Sequence, residues 1–223
     1  MKQISCDSSS IIALSSNCLM WVLDRFETDF IIPFYVKKEI IDTPLKGKKY
    51  SFEAMKHGLL IGNTLKIKET DSILRDKIIK LSNTLLMHKN KPIEIIQYGE
   101  ADAIALAIKE GITTLLVDEK NTRLLIEDME GLKKVIERRT GRDFEINKTS
   151  AQELHKLLDG LKIIRSTELV AVAIKRGFFD WPYPRANIIK NALTALKFSG
   201  CAISSREINE TVDILTNQSS SPK

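Results

Sequence analysis

Short apolar runs alternate along the chain with longer amphipathic stretches, and polar or acidic residues stand where one gives way to the other. Residues 2–6 predict a strand, and in "SIIALSSNCLMWVLDRF" Ile11, Ile12, Leu14, Leu19, Val22 and Leu23 have the spacing of one or two helices. A second apolar run, 30–32, is broken by Pro33, after which Val36, Glu39 and Ile40 open another helix. Residues 51–58 read as helical, "LKIKE" alternates as a strand, and Thr70 or Asp71 caps a helix through about Met87. In "YGEADAIALAIKEGITTLLVDEKNTRLL", Gly99 starts a helix through Glu110, Gly111 stops it, and "ITTLLV" runs as a buried strand into Asp118. Residues 120–139 extend as a basic helix, "DFEIN" as a strand, and Thr149 or Ser150 caps a helix through Leu158. "LKIIRS" and "TELVAVAIKRG" repeat the strand–helix pattern. After a turn with Pro182 and Pro184, "ANIIKNALTALKFSG" and "SSREINETVDIL" predict two last helices.

Such alternation predicts an α/β fold of three layers, α/β/α, around a mainly parallel sheet, because short right-handed crossovers place helices on both faces. With no internal repeat and no long linker, residues 1–215 are expected to form a single domain, followed by a disordered tail over 216–223.

Ligands of open parallel sheets bind beyond the carboxyl ends of the strands. Asp7 and Asp118 each follow a predicted strand, so both are expected on that edge. Glu39, Asp102 with neighbouring Glu100, and Glu119 beside Asp118 add further acids at helix starts and strand ends. A lone acid in a first helical turn is explained by the helix dipole; the recurrence across four segments is not. The helix from Gly99 is apolar all round over 103–108, so its ionisable groups lie at its ends. Glu100 and Asp102 differ by about 200° around it, so one of the two faces the site and the other serves as a helix-end or supporting acid.

Converging carboxylates repel one another unless a cation compensates. Oxygen donors without histidine or cysteine suit Mg2+ or Mn2+ and not zinc, and such ions activate water and stabilise charge on a phosphodiester during in-line displacement.

Composition sharpens this picture. The 223 residues are 43% hydrophobic and 28% charged, as in a globular protein, and no stretch reaches the roughly 20 apolar residues of a membrane span. The N-terminus lacks the pattern of a secretory signal, so a cytoplasmic location is expected. Cys6, Cys18 and Cys201 are odd in number and lack metal-site spacing, and read as small core residues. A net charge of +5, with basic runs at Lys46, Lys48 and Lys49 and at Lys133, Lys134, Arg138, Arg139 and Arg142, favours a polyanionic partner beside the acids.

"ISCDSSSIIAL", "IIPFYVKKEI", "GEADAIALAIKEG" and "LLVDEKNTRLL" resemble, in order and spacing, the acidic motifs of PIN-domain nucleases. "IIRSTELVAVAIKRGFFD" and "ALTALKFSGCAIS" resemble the closing elements of the longer prokaryotic PIN proteins, related to VapC-type toxins, which leaves about 127–162 as an elongation or insertion. The resemblance implies a metal-dependent endoribonuclease that leaves a 5′ phosphate and a 3′ hydroxyl. By motif position it implies catalytic roles for Asp7, Glu39, Asp102 and Asp118, with Asp7, Asp102 and Asp118 as ligands of Mg2+ or Mn2+ and Glu100 and Glu119 as substitutes. Ser8, Ser9 and Arg123 would position substrate. RNA is the expected partner, with a homodimer and an antitoxin as further ones. Val117 departs from the pattern of the many members that carry a threonine before the fourth acid.

Three other readings compete. A Rossmann module would need a glycine-rich turn after the first strand, where this chain has "CDSSS". A phosphate-accepting aspartate fits Asp7 but leaves the recurring acids unexplained. A PIN-shaped scaffold that binds RNA or protein without cutting is the main alternative, and a divalent-ion titration separates it from the nuclease.

Overall fold

Strand β1 (Lys2–Cys6) leads through Asp7 into α1 (Ser8–Ser16) and the short α2 (Trp21–Asp24) in the computed structural model, which describes residues 2–217. β2 (Thr28–Pro33) passes directly into α3 (Phe34–Lys37), which continues as a π-helical turn over Lys38–Asp42. Pro33 suits that junction, because its fixed φ and missing N–H are tolerated just before a helix. α4 (Ser51–Leu60), β3 (Leu65–Lys68) and α5 (Ser72–Asn83) follow, then a hairpin of β4 (Leu86–His88) and β5 (Lys91–Pro92). The Asp71 carboxylate caps α5 by accepting the Ile73 and Leu74 amides at 2.9 and 3.1 Å.

α6 (Tyr98–Glu110) ends at Gly111, whose φ of 66° closes the helix, and β6 (Thr114–Leu116) returns to the sheet. α7 (Lys120–Glu127), α8 (Met129–Thr140), β7 (Glu145–Ile146) and α9 (Lys148–Leu158) come next. β8 (Lys162–Ile164) then leads into α10 (Ser166–Lys175), α11 (Arg185–Phe198) and α12 (Ser205–Asn217).

The central sheet has five parallel strands in the order β3-β2-β1-β6-β8. Neighbouring side chains in a strand face opposite ways, and β2 shows the consequence: Phe30 and Ile32 enter one core while Ile31 enters the other. The first core packs α1, α10, α11 and α12; the second packs α5 to α9. This is the expected three-layer α/β/α arrangement. α6 is buried over most of its length, and the Ser5 hydroxyl donates to the Ala103 carbonyl at 2.8 Å, fixing the helix against β1.

The structure differs from the sequence reading in five places. The helix capped at Asp71 stops at Asn83, because residues 86–88 pair in a second sheet, antiparallel, of order β5-β4-β7. The basic stretch 120–139 is two helices, since Asp128 leaves helical geometry and its side chain caps α8 through the Gly131 amide at 2.8 Å. Asn147, not Thr149 or Ser150, caps α9, at 3.1 and 3.3 Å to their amides. Cys18 is exposed, whereas Cys6 and Cys201 are buried. α12 continues through residues 216 and 217; the rest of the expected tail, 218–223, lies outside the described residues.

The segment 127–162 is tied to the second core by Leu132, Ile136, Phe144, Leu154 and Leu158, and by β7 pairing with β4. Among the described residues no helix is long and apolar enough to cross a membrane.

Candidate active site

The sheet order places a topological switch between β1 and β6: the chain moves outward from β1 through β2 and β3, then crosses to β6 and β8 on the other side. Crevices at such points, beyond the carboxyl strand ends, are where open sheets bind ligands. Asp7 follows β1 there, its amide donating to the Leu116 carbonyl at 3.0 Å. Its carboxylate is buried and caps α1, accepting the Ser9 hydroxyl at 2.6 Å, the Ser9 amide at 3.3 Å and the Ser8 hydroxyl at 3.4 Å. The Ser9 oxygen also accepts the Asp118 amide at 3.3 Å, joining the ends of the two strands. Burial raises the Asp7 pKa, and these hydrogen bonds offset part of the rise.

Three further acids feel the charge of this carboxylate. Glu39, on the π-helical turn, is raised by burial and by the negative charges of Asp7 and Asp102, with a Ser8 hydrogen bond opposing. Glu100 is pushed up to about 7, first by burial and then by Asp7, with Glu119 adding to the rise. Glu119 is raised by burial and by Asp7, while the Arg139 guanidinium opposes the rise. Both of these glutamates also hold backbone. Glu100 Oε2 accepts the Gln97 amide at 2.9 Å, and Glu119 caps α7 through the Asn121 and Thr122 amides. Gly99 brings the π-helical turn and α6 together: a Cβ there would overlap the Glu39 carboxylate.

Asp102 and Asp118 are buried with partners of their own. Asp102 Oδ2 accepts the Tyr35 amide at 3.1 Å, and Oδ1 lies 3.8 Å from Arg75 Nη1. Burial raises its pKa, and those two partners pull the other way. Glu100 and Asp102 thus serve different neighbours, as their angular separation on α6 requires, although Asp102 still adds its charge to Glu39. Asp118 accepts the Ser166 amide at 2.7 Å, the Ser166 hydroxyl at 2.6 Å and the Cys201 thiol at 3.3 Å. It binds β6 to the start of α10 and to the turn before α12. Cys201 is pushed up to about 11 by burial and by this carboxylate, which keeps it a thiol.

Among the described residues, no three histidine, cysteine, aspartate or glutamate side chains converge closely enough to grip one ion. The donor chemistry of Asp7, Glu39, Glu100 and Glu119 nevertheless fits a hard divalent cation. All four offer oxygen and are held above the ordinary carboxylate range by burial, and the Asp7 charge adds to the rise in the other three. The charge of Arg139, in the last turn of the basic α8, is felt by Glu119. Arg123 is half-buried and lies 3.9 Å from Glu127, one turn away on α7.

A family model described as a PIN domain (DUF3368) matches residues 3–134, more than half of the chain. The chain belongs to the PIN-domain family. PIN domains are in general nucleases that use divalent metals. Searches of curated proteins and of solved structures returned no match. In this PIN-domain protein every acid described above falls within the matched segment, whereas Ser166 and Cys201 lie beyond it. Sequence reasoning missed Gly99 as the close approach to Glu39, and Ser166 as the donor to Asp118. It also missed Tyr35, whose backbone engages Asp102. A glycine flanked by polar residues inside a helix start was the one signal available for the first; nothing local marks the other two.

Proposed function

We propose that this PIN-domain protein is a metal-dependent endoribonuclease in which Asp7, Glu39, Glu100 and Glu119 would hold Mg2+ or Mn2+. The observation that carries the reading is that Glu39, Glu100 and Glu119 all feel the charge of the buried Asp7 carboxylate, which ends β1 at the switch point of the sheet. Uncompensated carboxylates in one crevice raise the cost of ionisation, and a divalent cation is the group that lowers it. When bound, the ion supplies an activated water and stabilises charge on the phosphodiester. The chain's own part is positional. Ser8 and Ser9 fix the Asp7 carboxylate, the Glu100 Oε2 is oriented by the Gln97 amide, and Glu119 by the first turn of α7. Asp102 and Asp118 act here as supports, the first holding Tyr35 and the second holding Ser166. Arg139 and the neighbouring basic residues of α8 would take the phosphates flanking the cut.

The experiment is cleavage of single-stranded and structured RNA in Mn2+ by the wild type and by Asp7→Asn. Cleavage by the wild type alone is the expected result, and equal cleavage by both proteins rules the site out. One observation favours a second reading, a scaffold that binds RNA without cutting: Asp118, the fourth acid of the resemblance, already accepts three hydrogen bonds. For the scaffold, RNA affinity would survive Asp7→Asn unchanged and the wild type would cut nothing.

A further inference from the structure

Beside the acid cluster, and sharing Glu39 with it, lies a cleft of about 350 Å³ lined in part by Tyr35, Glu39, Glu94, Gln97 and Tyr98. Tyr35 and Tyr98 stack in it with ring centroids 5.1 Å apart and planes 21° from parallel. The Arg75 guanidinium lies 5.8 and 5.4 Å from the two rings, and Tyr98 keeps 47% of its surface exposed. An exposed tyrosine held in place by a second ring and a guanidinium can accept another flat π surface with little loss of side-chain freedom.

The charges say which part of a nucleic acid this cleft takes. Arg75 is paired with Asp76 at 2.8 Å and stands 3.8 Å from Asp102, so its charge is already answered. Among the described residues the cleft's lining includes no lysine, arginine or histidine, and the exposed Glu94 repels a phosphate while accepting the amino hydrogens of a base. Outside it, the exposed Lys38 holds its ammonium 5.0 Å from the Tyr35 ring, within reach of a backbone phosphate.

We infer that Tyr98, braced by Tyr35 and Arg75, is a stacking platform for one unpaired base of the RNA next to the scissile phosphate. Asp102 is a positioning residue for this platform, since it holds both the Tyr35 amide and, electrostatically, Arg75. The inference rests on the RNA-nuclease reading and adds to it a requirement for a single-stranded nucleotide at that position. A base-paired nucleotide cannot present its face to Tyr98 without leaving the stack.

The test is fluorescence anisotropy with a labelled single-stranded RNA and the corresponding duplex, without divalent ion so that nothing is cut. Tyr98→Ala and Tyr98→Leu should each weaken single-strand binding about 10-fold, Tyr98→Phe should stay within about 2-fold of wild type, and duplex binding should not change. Tyr98→Leu keeps apolar bulk without a π face, so it separates lost stacking from lost packing. Wild-type affinity in Tyr98→Ala or Tyr98→Leu overturns the platform and leaves the nuclease reading standing. A wild type that binds no RNA and cuts none in Mn2+ removes both.

Discussion

The Ser9 hydroxyl donates to the Asp7 carboxylate at 2.6 Å while accepting the Asp118 amide at 3.3 Å, so one oxygen atom ties the ends of two neighbouring strands. Ser9→Ala removes both of these part-buried bonds and leaves the Asp118 amide without its acceptor. The expected loss is about 1–3 kcal/mol of stability by urea denaturation, together with a fall in RNA cleavage in Mn2+. A variant as stable and as active as the wild type would show that the Asp7 rotamer is fixed by other groups.

Gly99→Ala should separate stability from activity. A Cβ at this position meets only the end of the Glu39 side chain, which can swing away, and alanine is the better helix former by about 1 kcal/mol. The expected variant is as stable as the wild type or slightly more so, yet at least about 10-fold less active, because Glu39 has been displaced from the crevice. Thermal melts and single-turnover cleavage measure the two effects independently.

The pKa of Glu100 fixes a pH dependence. Its folded value of about 7 lies above the ordinary 4.5, so between these values the folded protein holds a proton that the unfolded chain has released. Stability without divalent ions therefore falls as pH rises through about 4.5 to 7. Asp7, Glu39 and Glu119, also raised, act in the same direction. Glu207, held down at about 2 with Arg165 and Ser204 as partners, acts in the opposite direction only at lower pH. Glu100→Gln should be more stable than the wild type at pH 8 by about 1–3 kcal/mol and indistinguishable from it at pH 4, read by urea melts.

Divalent binding should release protons, because ions compete with them for the same oxygens. Titration calorimetry of Mn2+ at pH 7 in two buffers of different ionisation enthalpy should give different apparent heats. Equal heats would mean that the ion binds elsewhere.

Asp118→Ala should act through the fold. Its three donors lie in β8's exit turn and before α12, and removing their acceptor is expected to cost about 2–4 kcal/mol in equilibrium denaturation. Glu119→Gln keeps an oxygen for the α7 cap and removes a raised carboxylate, so without divalent ions its melting temperature at pH 8 should equal or exceed that of the wild type while its response to Mn2+ is lost.

The parallel sheet was legible because apolar runs such as 30–32 end in polar residues at regular intervals, a pattern that only strand–helix alternation satisfies. Of the small second sheet only β7 was legible, within "DFEIN"; β4 and β5, of three and two residues, are too short to show a period. The acidic pairs were readable as pairs. Which member faces the crevice depends on the phase of α6 for Glu100 and Asp102. For Asp118 it depends on a serine 48 residues further along, which no local pattern announces. The stacked tyrosines were hidden for the same reason: Tyr35 on α3 and Tyr98 on α6 are far apart in the chain and meet only in the folded protein.

The bonds from Ser166 and Cys201 to Asp118 also set how far this chain can be shortened. A fragment cut to the family-matched residues 3–134 would lose β8 from one edge of the sheet and leave the buried Asp118 carboxyl without its Ser166 and Cys201 donors. The smallest piece that keeps the crevice's floor intact therefore extends at least through Cys201, and deletion mapping that stops earlier would report misfolding as though it were loss of chemistry.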